Sequence, residues 1–225
     1  MKYHLCNVEP DVTPYLTLPP DGVAFDVGAC VGTYTYQLLD VVPQGRVFAF
    51  EPEPKNYAFL QSVFQDRPNV TVLHMALADY EGIGALFTHA SSFTRQGEEW
   101  IISGNVANHF LIGSDPHQPV ASLKPPCYPT LIDVHTIDHI VAHYDLPRVD
   151  LIKIDTEGSE LPILRGAKRT LAQHRPRLII EVHYDEGDEV ERLTRAAGYT
   201  VTKHIPLMSS NPGLILDVNG QNQRR

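Results

Sequence analysis

Val23-Ala-Phe-Asp26-Val-Gly28-Ala-Cys30-Val-Gly32-Thr33 is an apolar run that ends in Asp-x-Gly-x-x-x-Gly and leads into a helical pattern. Arg46-Val-Phe-Ala-Phe-Glu51-Pro follows, a second apolar run closed by a carboxylate. Strand, glycine turn, helix, strand, acid is the order in which an α/β sheet holds an adenosine-bearing cofactor. Gly28 and Gly32 permit a sharp turn and a close backbone approach. A carboxylate at the tip of the second strand suits a ribose diol. A dinucleotide site reads Gly-x-Gly-x-x-Gly instead, with bare amides facing a pyrophosphate. Here Asp26 stands in place of the first glycine. A carboxylate there repels a pyrophosphate and favours a cationic cofactor such as S-adenosylmethionine. A structural strand-turn-helix with a buried Asp cap explains the first run equally well. Glu51 tips the balance toward cofactor binding.

Outward from this stretch, strand and helix patterns alternate, which argues for a doubly wound parallel sheet with helices on both faces. Residues 33–41 read as the first helix, and Pro54 opens the next, with Tyr57, Leu60 and Phe64 at helical spacing. Residues 70–75, 151–154 and 178–182 read as further strands. Leu161, Leu164, Ala167 and Leu171 form the stripe of one helix; Val190, Leu193 and Ala197 mark another, ended by Gly198. The short link between the last two apolar runs, 199–205 and 213–218, suits an antiparallel hairpin. Residues 90–129 show no sustained periodicity and several Gly and Pro. They read as a long lid or substrate-wall loop bearing Phe93, Trp100, Phe110 and Tyr128, or as an insertion with no role. No internal repeat is evident, so residues 1–225 read as one domain with a core at about 20–220.

The chain has 225 residues, 43% hydrophobic and 20% charged, with a net charge of −9. That balance fits a soluble α/β domain and argues against sequence-independent nucleic-acid binding. No apolar run is long enough to cross a bilayer, and the first ten residues lack a signal peptide's apolar core. Cys6, Cys30 and Cys127 are an odd number without a CxxC, so neither a disulfide framework nor a structural zinc site is expected. A reducing cytoplasm is the simplest expectation, with no membrane partner. A homo-oligomer is compatible with the sequence.

A second constellation is Asp150-Leu-Ile-Lys153-Ile-Asp155-Thr-Glu157-Gly158-Ser-Glu160, where an apolar strand meets a helix. In open α/β sheets ligands bind beyond the carboxyl ends of the strands, near the switch in strand order. Asp155 is therefore expected to face the same crevice as Gly28 and Gly32. Acids at a helix start also satisfy free amides; that explanation suffices for Glu160 and competes evenly for Glu157. Glu181 and His183 point to one side of the next strand. A carboxylate in a buried strand needs a partner, which Lys153 could supply, and His183 suits proton abstraction near neutral pH. His135, His139 and His143 recur every four residues. On a helix they share a face and could hold a metal; a solvated polar face is the favoured reading.

Together these segments resemble the FkbM-type family of S-adenosylmethionine-dependent methyltransferases. The similar pieces run from Phe25 to Thr35, Phe48 to Tyr57 and Ala76 to Gly82. They continue with Thr136-Ile-Asp138, the Asp150–Glu160 block, Leu164-Arg-Gly-Ala167, and Arg175 to His183. The resemblance implies a Rossmann-like class I methyltransferase sheet of seven strands, mostly parallel, with a C-terminal antiparallel hairpin. It implies methyl transfer, commonly to a hydroxyl on a sugar or secondary metabolite. By analogy Asp26, Gly28 and Gly32 line the methionine side of S-adenosylmethionine, with Cys30 and Thr33 of the same turn among its contacts. Glu51 holds the ribose, and Ala76 to Asp79 lie near the adenine. Asp155, also counted with the cofactor contacts, and Glu157 face the transferred methyl or the substrate. The chain departs from the family pattern at Cys30, where Asn is usual, and at Phe64, where Asn is frequent.

The expected chemistry is O-methylation by direct displacement, with positioning supplying much of the acceleration. Asp155 or His183 would accept the hydroxyl proton. Alternatively, a divalent cation such as Mg²⁺, held by Asp155 with Glu157, would lower the hydroxyl's pKa. An NAD(P)-dependent oxidoreductase on the same sheet is the rival enzyme, disfavoured by its glycine pattern. A cofactor-binding module without turnover is the rival outside enzymology.

Overall fold

The first strand, turn and helix form at the residues their pattern indicates. In the computed structural model they are β1 (Val23–Val27) and α1 (Thr33–Val41), followed by β2 (Arg46–Phe50), α2 (Pro54–Phe64) and β3 (Val70–Leu73). The structure describes residues 12–89, 91–96, 99–104, 110–112, 127–182, 186–206 and 212–218. Next come short β4 (Ala76–Leu77), β5 (Gly82–His89), β6 (Ser91–Gln96), β7 (Glu99–Gly104), β8 (Phe110–Ile112) and β9 (Cys127–His135). The chain then forms α3 (Ile137–His143), β10 (Leu151–Ile154), α4 (Glu160–Arg165), α5 (Lys168–Gln173), β11 (Arg177–Glu181), α6 (Gly187–Ala196), β12 (Tyr199–Pro206) and β13 (Pro212–Val218).

The main sheet has 7 strands in the order β3, β2, β1, β10, β11, β13, β12. Strands β3, β2, β1, β10 and β11 pair in parallel, while β13 runs antiparallel to both β11 and β12. The expected seven-stranded sheet with an antiparallel C-terminal hairpin is the one observed. Strand order reverses between β1 and β10, so the crevice belongs at their carboxyl ends.

The alternation of side chains across the pleat divides the core in two. Phe25, Phe48, Phe50, Ile152 and Ile180 pack on one face with Ile137, Ile163 and Val190 from the helices α3, α4 and α6. Ala24, Val47, Ala49, Leu151 and Ile179 face the other way, against Leu38 and Leu39 of α1 and Leu60 and Phe64 of α2. Each fully buried Phe or Ile contributes about 1.5–3 kcal/mol by leaving water.

Two expectations are corrected. The stripe Leu161, Leu164, Ala167, Leu171 is buried as expected, but it runs over two helices, α4 and α5, with Ala167 in the turn between them, rather than over one. The break has a tertiary cause: the Asp138 carboxylate accepts from the amides of Arg169 at 2.9 Å and Thr170 at 2.8 Å, capping a new helix start. Residues 90–129 are also not simply a loop. They contain β6, β7, β8 and the start of β9; residues 90, 97–98, 105–109 and 113–126 lie outside the described residues. Strands β6 and β7 pair antiparallel, and β4, β9, β5 and β8 form a 4-stranded sheet in that order. Ser91-Ser-Phe-Thr-Arg-Gln96 holds a single apolar residue, so backbone pairing left no period-2 apolar signal to read. Among the described residues no helix is long and apolar enough to cross a membrane.

Candidate functional site

At the carboxyl ends of β1, β2 and β10 the chain opens a cleft with about 630 Å³ of space, part of it open to solvent. Gly28, Cys30, Glu51, Ala76, Asp155 and Glu157, all expected site residues, line it. Three carboxylates facing one crevice suit a cationic ligand better than a pyrophosphate.

The turn after β1 is bolted to the tip of β2. Gly28 and Ala29 donate their amides to the Phe50 carbonyl at 3.1 and 3.0 Å. Cys30 donates its amide to Glu51 Oε2 at 2.7 Å, and Glu53 donates its own to Oε1 at 2.8 Å. Glu51 is 3% exposed, and burial pushes its carboxyl up to about 8, against the opposing hydrogen bonds. A carboxylate has about four acceptor positions, so these bonds orient Glu51 and leave it capacity for a ligand's hydroxyls. Cys30 itself sits at φ +51°, in the left-handed region that Asn tolerates better than most residues. Its thiol is pushed up by burial, then by Glu51, and is held protonated.

Gly28 (φ +77°) has a particular neighbour: a Cβ there would lie 1.9 Å from the Asp155 carbonyl oxygen. Gly32 (φ +85°) is packed from the other side, where a Cβ would lie 2.7 Å from both Leu60 and Phe64. The Phe64 departure from the family pattern thus fills space over Gly32. Gly32, Thr33 and Asp26 sit behind the cleft rather than on its lining, and Asp79 is exposed beyond Ala78.

Asp26 is fully buried and opposite Lys153 in the β1–β10 register. Thr35 donates its hydroxyl to Asp26 at 2.6 Å, and Lys153 Nζ lies 3.7 Å from Asp26 and 3.1 Å from Asp155. Burial pushes the Asp26 carboxyl up, with Lys153 and Thr35 opposing. Burial also works against the Lys153 charge, but Asp155 and Asp26 outweigh it and raise the ammonium above the usual lysine range. The ring of Tyr34 lies 4.4 Å below the same nitrogen. Lys153, expected to serve Glu181, is therefore the hinge of an Asp26–Lys153–Asp155 line. Glu181 shares with Lys153, Tyr34 and Asp155 the wall of a second, smaller cavity that meets the cleft at Asp155.

After β10 the chain turns sharply through Glu157 (φ +57°) and Gly158 (φ +107°). Buried Glu160 holds that turn, its Oε1 accepting from the amides of Thr156 and Gly158 at 3.2 and 3.1 Å. The structural role expected of Glu160 is the one seen. Among the described residues no third metal-ligating group joins Asp155 and Glu157, so the expected Mg²⁺ pair is not supported. His183 lies outside the described residues.

Motif reading missed Met75 and Leu86, which with Leu77 give the cleft an apolar wall. Leu86 comes from the second sheet, and nothing in its own neighbourhood marks it. Gly166 carried a signal: a Cβ there would lie 2.0 Å from the Ala78 carbonyl, which explains a glycine in Leu164-Arg-Gly-Ala.

The model of the methyltransferase FkbM domain matches residues 26–201. Methyltransferase 1 of Beauveria bassiana is 26% identical over 202 residues, 87% of this chain and 78% of that protein. The 31-O-demethyl-FK506 methyltransferase FkbM of Streptomyces tacrolimicus is 26% identical over 194 residues, 82% of this chain and 75% of that one. The 2-O-methyltransferase NoeI of Sinorhizobium fredii is 25% identical over 161 residues, 69% and 61% of the two chains. The crystal structure of methyltransferase FkbM from Methylobacillus flagellatus superimposes with a TM-score of 0.55 at 21% identity, over 92% of this chain and 50% of that one. Fibrillarin from Aeropyrum pernix, solved with bound S-adenosylmethionine, shares the fold with a TM-score of 0.53 at 12% identity, over 95% and 70% of the two chains. The chain belongs to the FkbM methyltransferase domain family, on the fold of the S-adenosylmethionine-dependent class I methyltransferases.

Proposed function

We propose that this chain transfers the methyl group of S-adenosylmethionine to a hydroxyl of a sugar or secondary metabolite. The observation that carries the reading is one cleft holding Glu51, Asp155 and Glu157 around the Gly28 turn. These residues fit the cofactor: Glu51 is buried, oriented and able to accept from ribose hydroxyls, and the acidic lining suits an amine and a sulfonium. When bound, S-adenosylmethionine supplies an electrophilic methyl group. The 2-O-methyltransferase NoeI, so named, supports a hydroxyl acceptor, and the hexuronic acid methyltransferase AglP of Haloferax volcanii supports a sugar acid as acceptor class.

Asp155 borders both the cleft and the smaller cavity. An acceptor reaching it from the side of Tyr34 and Glu181 would place its hydroxyl between the two. Lys153 occupies one carboxylate oxygen of Asp155 at 3.1 Å and fixes the side chain. The other oxygen is available to orient the hydroxyl and take its proton. His183, two residues beyond Glu181, is the second candidate for that proton.

Calorimetry with S-adenosylmethionine tests the cofactor, with NAD as the control. Micromolar binding, weakened at least tenfold by Glu51→Ala and with no response to NAD, is expected. An NAD response would overturn the reading. Turnover on a panel of saccharides and hydroxylated metabolites then separates the bases: near-normal rates in both Asp155→Asn and His183→Ala would exclude general-base catalysis by either. A requirement for added Mg²⁺ would contradict a metal-free reaction.

A further inference from the structure

Glu81, His135 and His139 come together from three elements. Glu81 directly precedes β5, His135 ends β9, and His139 lies in the first turn of α3. His135 Nδ1 is 2.7 Å and His139 Nδ1 3.6 Å from the same oxygen, Glu81 Oε2. The three ligand atoms all lie within 4.8 Å of one another. The two imidazole rings are stacked, with centroids 5.0 Å apart.

We propose that these three side chains form a binding site for a borderline divalent cation, with Zn²⁺ as the preferred ion. Two imidazoles and one carboxylate are a donor set that favours Zn²⁺ over Mg²⁺ or Ca²⁺. Ligands at about 2.0–2.2 Å from a tetrahedral zinc stand roughly 3.3–3.6 Å apart, so His139 already stands at a fitting 3.6 Å from Glu81 Oε2, while His135, at 2.7 Å, must open by roughly 0.6–0.9 Å. The supporting groups are already placed. Thr136 donates its amide and its hydroxyl to Glu81 Oε1, both at 2.8 Å, which turns Oε2 toward the histidines. The His139 amide donates to Thr136 Oγ1 at 3.0 Å, and the Ala78 amide donates to the His135 carbonyl at 2.9 Å. Such outer partners fix ligand orientation before the ion arrives. All three side chains are 29–46% exposed, which gives an ion an entry path and room for a water ligand.

The site is separate from the cleft but touches its wall. Leu77 pairs with His135 in the register of β4 and β9, and Ala76, Leu77 and Leu86 line the cleft. A bound cation would cross-link β9, α3 and the start of β5, and so stiffen the small sheet that supplies that wall. Its role is structural, and it takes no part in methyl transfer.

The test uses the whole 225-residue chain without a polyhistidine tag. Zn²⁺ titration by calorimetry is expected to show one equivalent bound with micromolar or tighter affinity. Co²⁺ is expected to give the intense visible absorption of a four-coordinate site. His139→Ala, at a half-exposed side chain, should fold normally and lose at least tenfold in Zn²⁺ affinity. His143→Ala is the control: its ring is stacked 6.0 Å beyond His139 and outside the cluster, so binding should persist. Zn²⁺ should raise the melting temperature of the unaltered chain and not that of His139→Ala. Absence of stoichiometric binding, or binding that His139→Ala retains in full, would overturn the proposal.

Discussion

Replacing Gly28 by Ala tests whether the glycine turn is shaped by its protein neighbour. Gly28 has φ +77°, and a left-handed backbone costs a non-glycine residue about 1–2 kcal/mol. Its new Cβ would lie 1.9 Å from the Asp155 carbonyl oxygen, so β1 and β10 must part by about 1.4 Å to reach an ordinary C···O contact of roughly 3.3 Å. Overpacking of that kind costs about 1–3 kcal/mol. The two effects give about 2–5 kcal/mol, a large share of the roughly 5–15 kcal/mol typical of a folded chain. Two other glycines separate the contributions. Gly198 has φ +87° and nothing within 4 Å of its Cβ position, so Gly198→Ala should show the backbone cost alone, about 1–2 kcal/mol. Gly187 opens α6 with nothing within 4 Å, so Gly187→Ala should stabilise by about 0.4–1 kcal/mol. Urea unfolding of the three variants reads the series. Gly28→Ala should also weaken S-adenosylmethionine binding, because the displaced backbone is that of Asp155. A Gly28→Ala midpoint matching Gly198→Ala, with unchanged cofactor affinity, would refute the argument.

Glu51 should make cofactor affinity depend on pH. Burial pushes its carboxyl up to about 8 from the usual 4.5, so the folded chain holds this proton more tightly than the unfolded one. That contribution to stability is complete below pH about 4.5 and is lost as pH rises through about 8. Ribose hydroxyls donate to the carboxylate, so binding expels the proton. Affinity should rise by up to about tenfold per pH unit from pH 6 toward 8 and then level off. Calorimetry in buffers of different ionisation heat checks it; pH-independent affinity without proton release would exclude Glu51 as the linked group. Asp138→Ala should cost about 1–3 kcal/mol in urea unfolding, since it strips the start of α5 of two amide acceptors and the Thr170 hydroxyl of its partner. Cofactor affinity should stay within about twofold, and a large loss would place Asp138 in the site instead.

The main sheet was legible because its signals are local. Strands β1, β2 and β10 are short apolar runs bounded by turn residues, and the glycine turn and Glu51 sit where those runs end. Helix boundaries were less legible where a distant group sets them. Nothing near Gly166 announces that Asp138, far back in the chain, caps a new helix at Lys168. The small sheet left a weak trace because its buried apolar alternation is short, Ile132 and Val134 in β9 and Leu86 alone in β5. The same limit hid Leu86 and the meeting of Glu81 with His135. Each depends on which strands lie side by side, and β5 pairs with a β9 whose start is 38 positions beyond the end of β5. Lys153 shows the limit within a strand. The sequence offers it as a partner for Glu181, but only the register, Asp26 opposite Lys153, selects the partner it takes.

The motif positions of the family also acquire a common physical reason. Gly28 clears the Asp155 carbonyl, Lys153 joins Asp26 to Asp155, the Cys30 amide joins the turn to Glu51, and Gly166 clears the Ala78 carbonyl. Each contact crosses between segments far apart in sequence, and each fixes the distance between two walls of one cleft. Asp26 and Gly166 do not line the cleft themselves, yet altering either would move a residue that does. Removing Lys153 would strand the fully buried Asp26, a loss of about 3–5 kcal/mol in comparable buried pairs, and would free the Asp155 side chain. The ordered set of short motifs is thus one set of spacing constraints on the tips of β1, β2 and β10 and the segment after β4. That is why the pieces are weak signals singly and a strong one together.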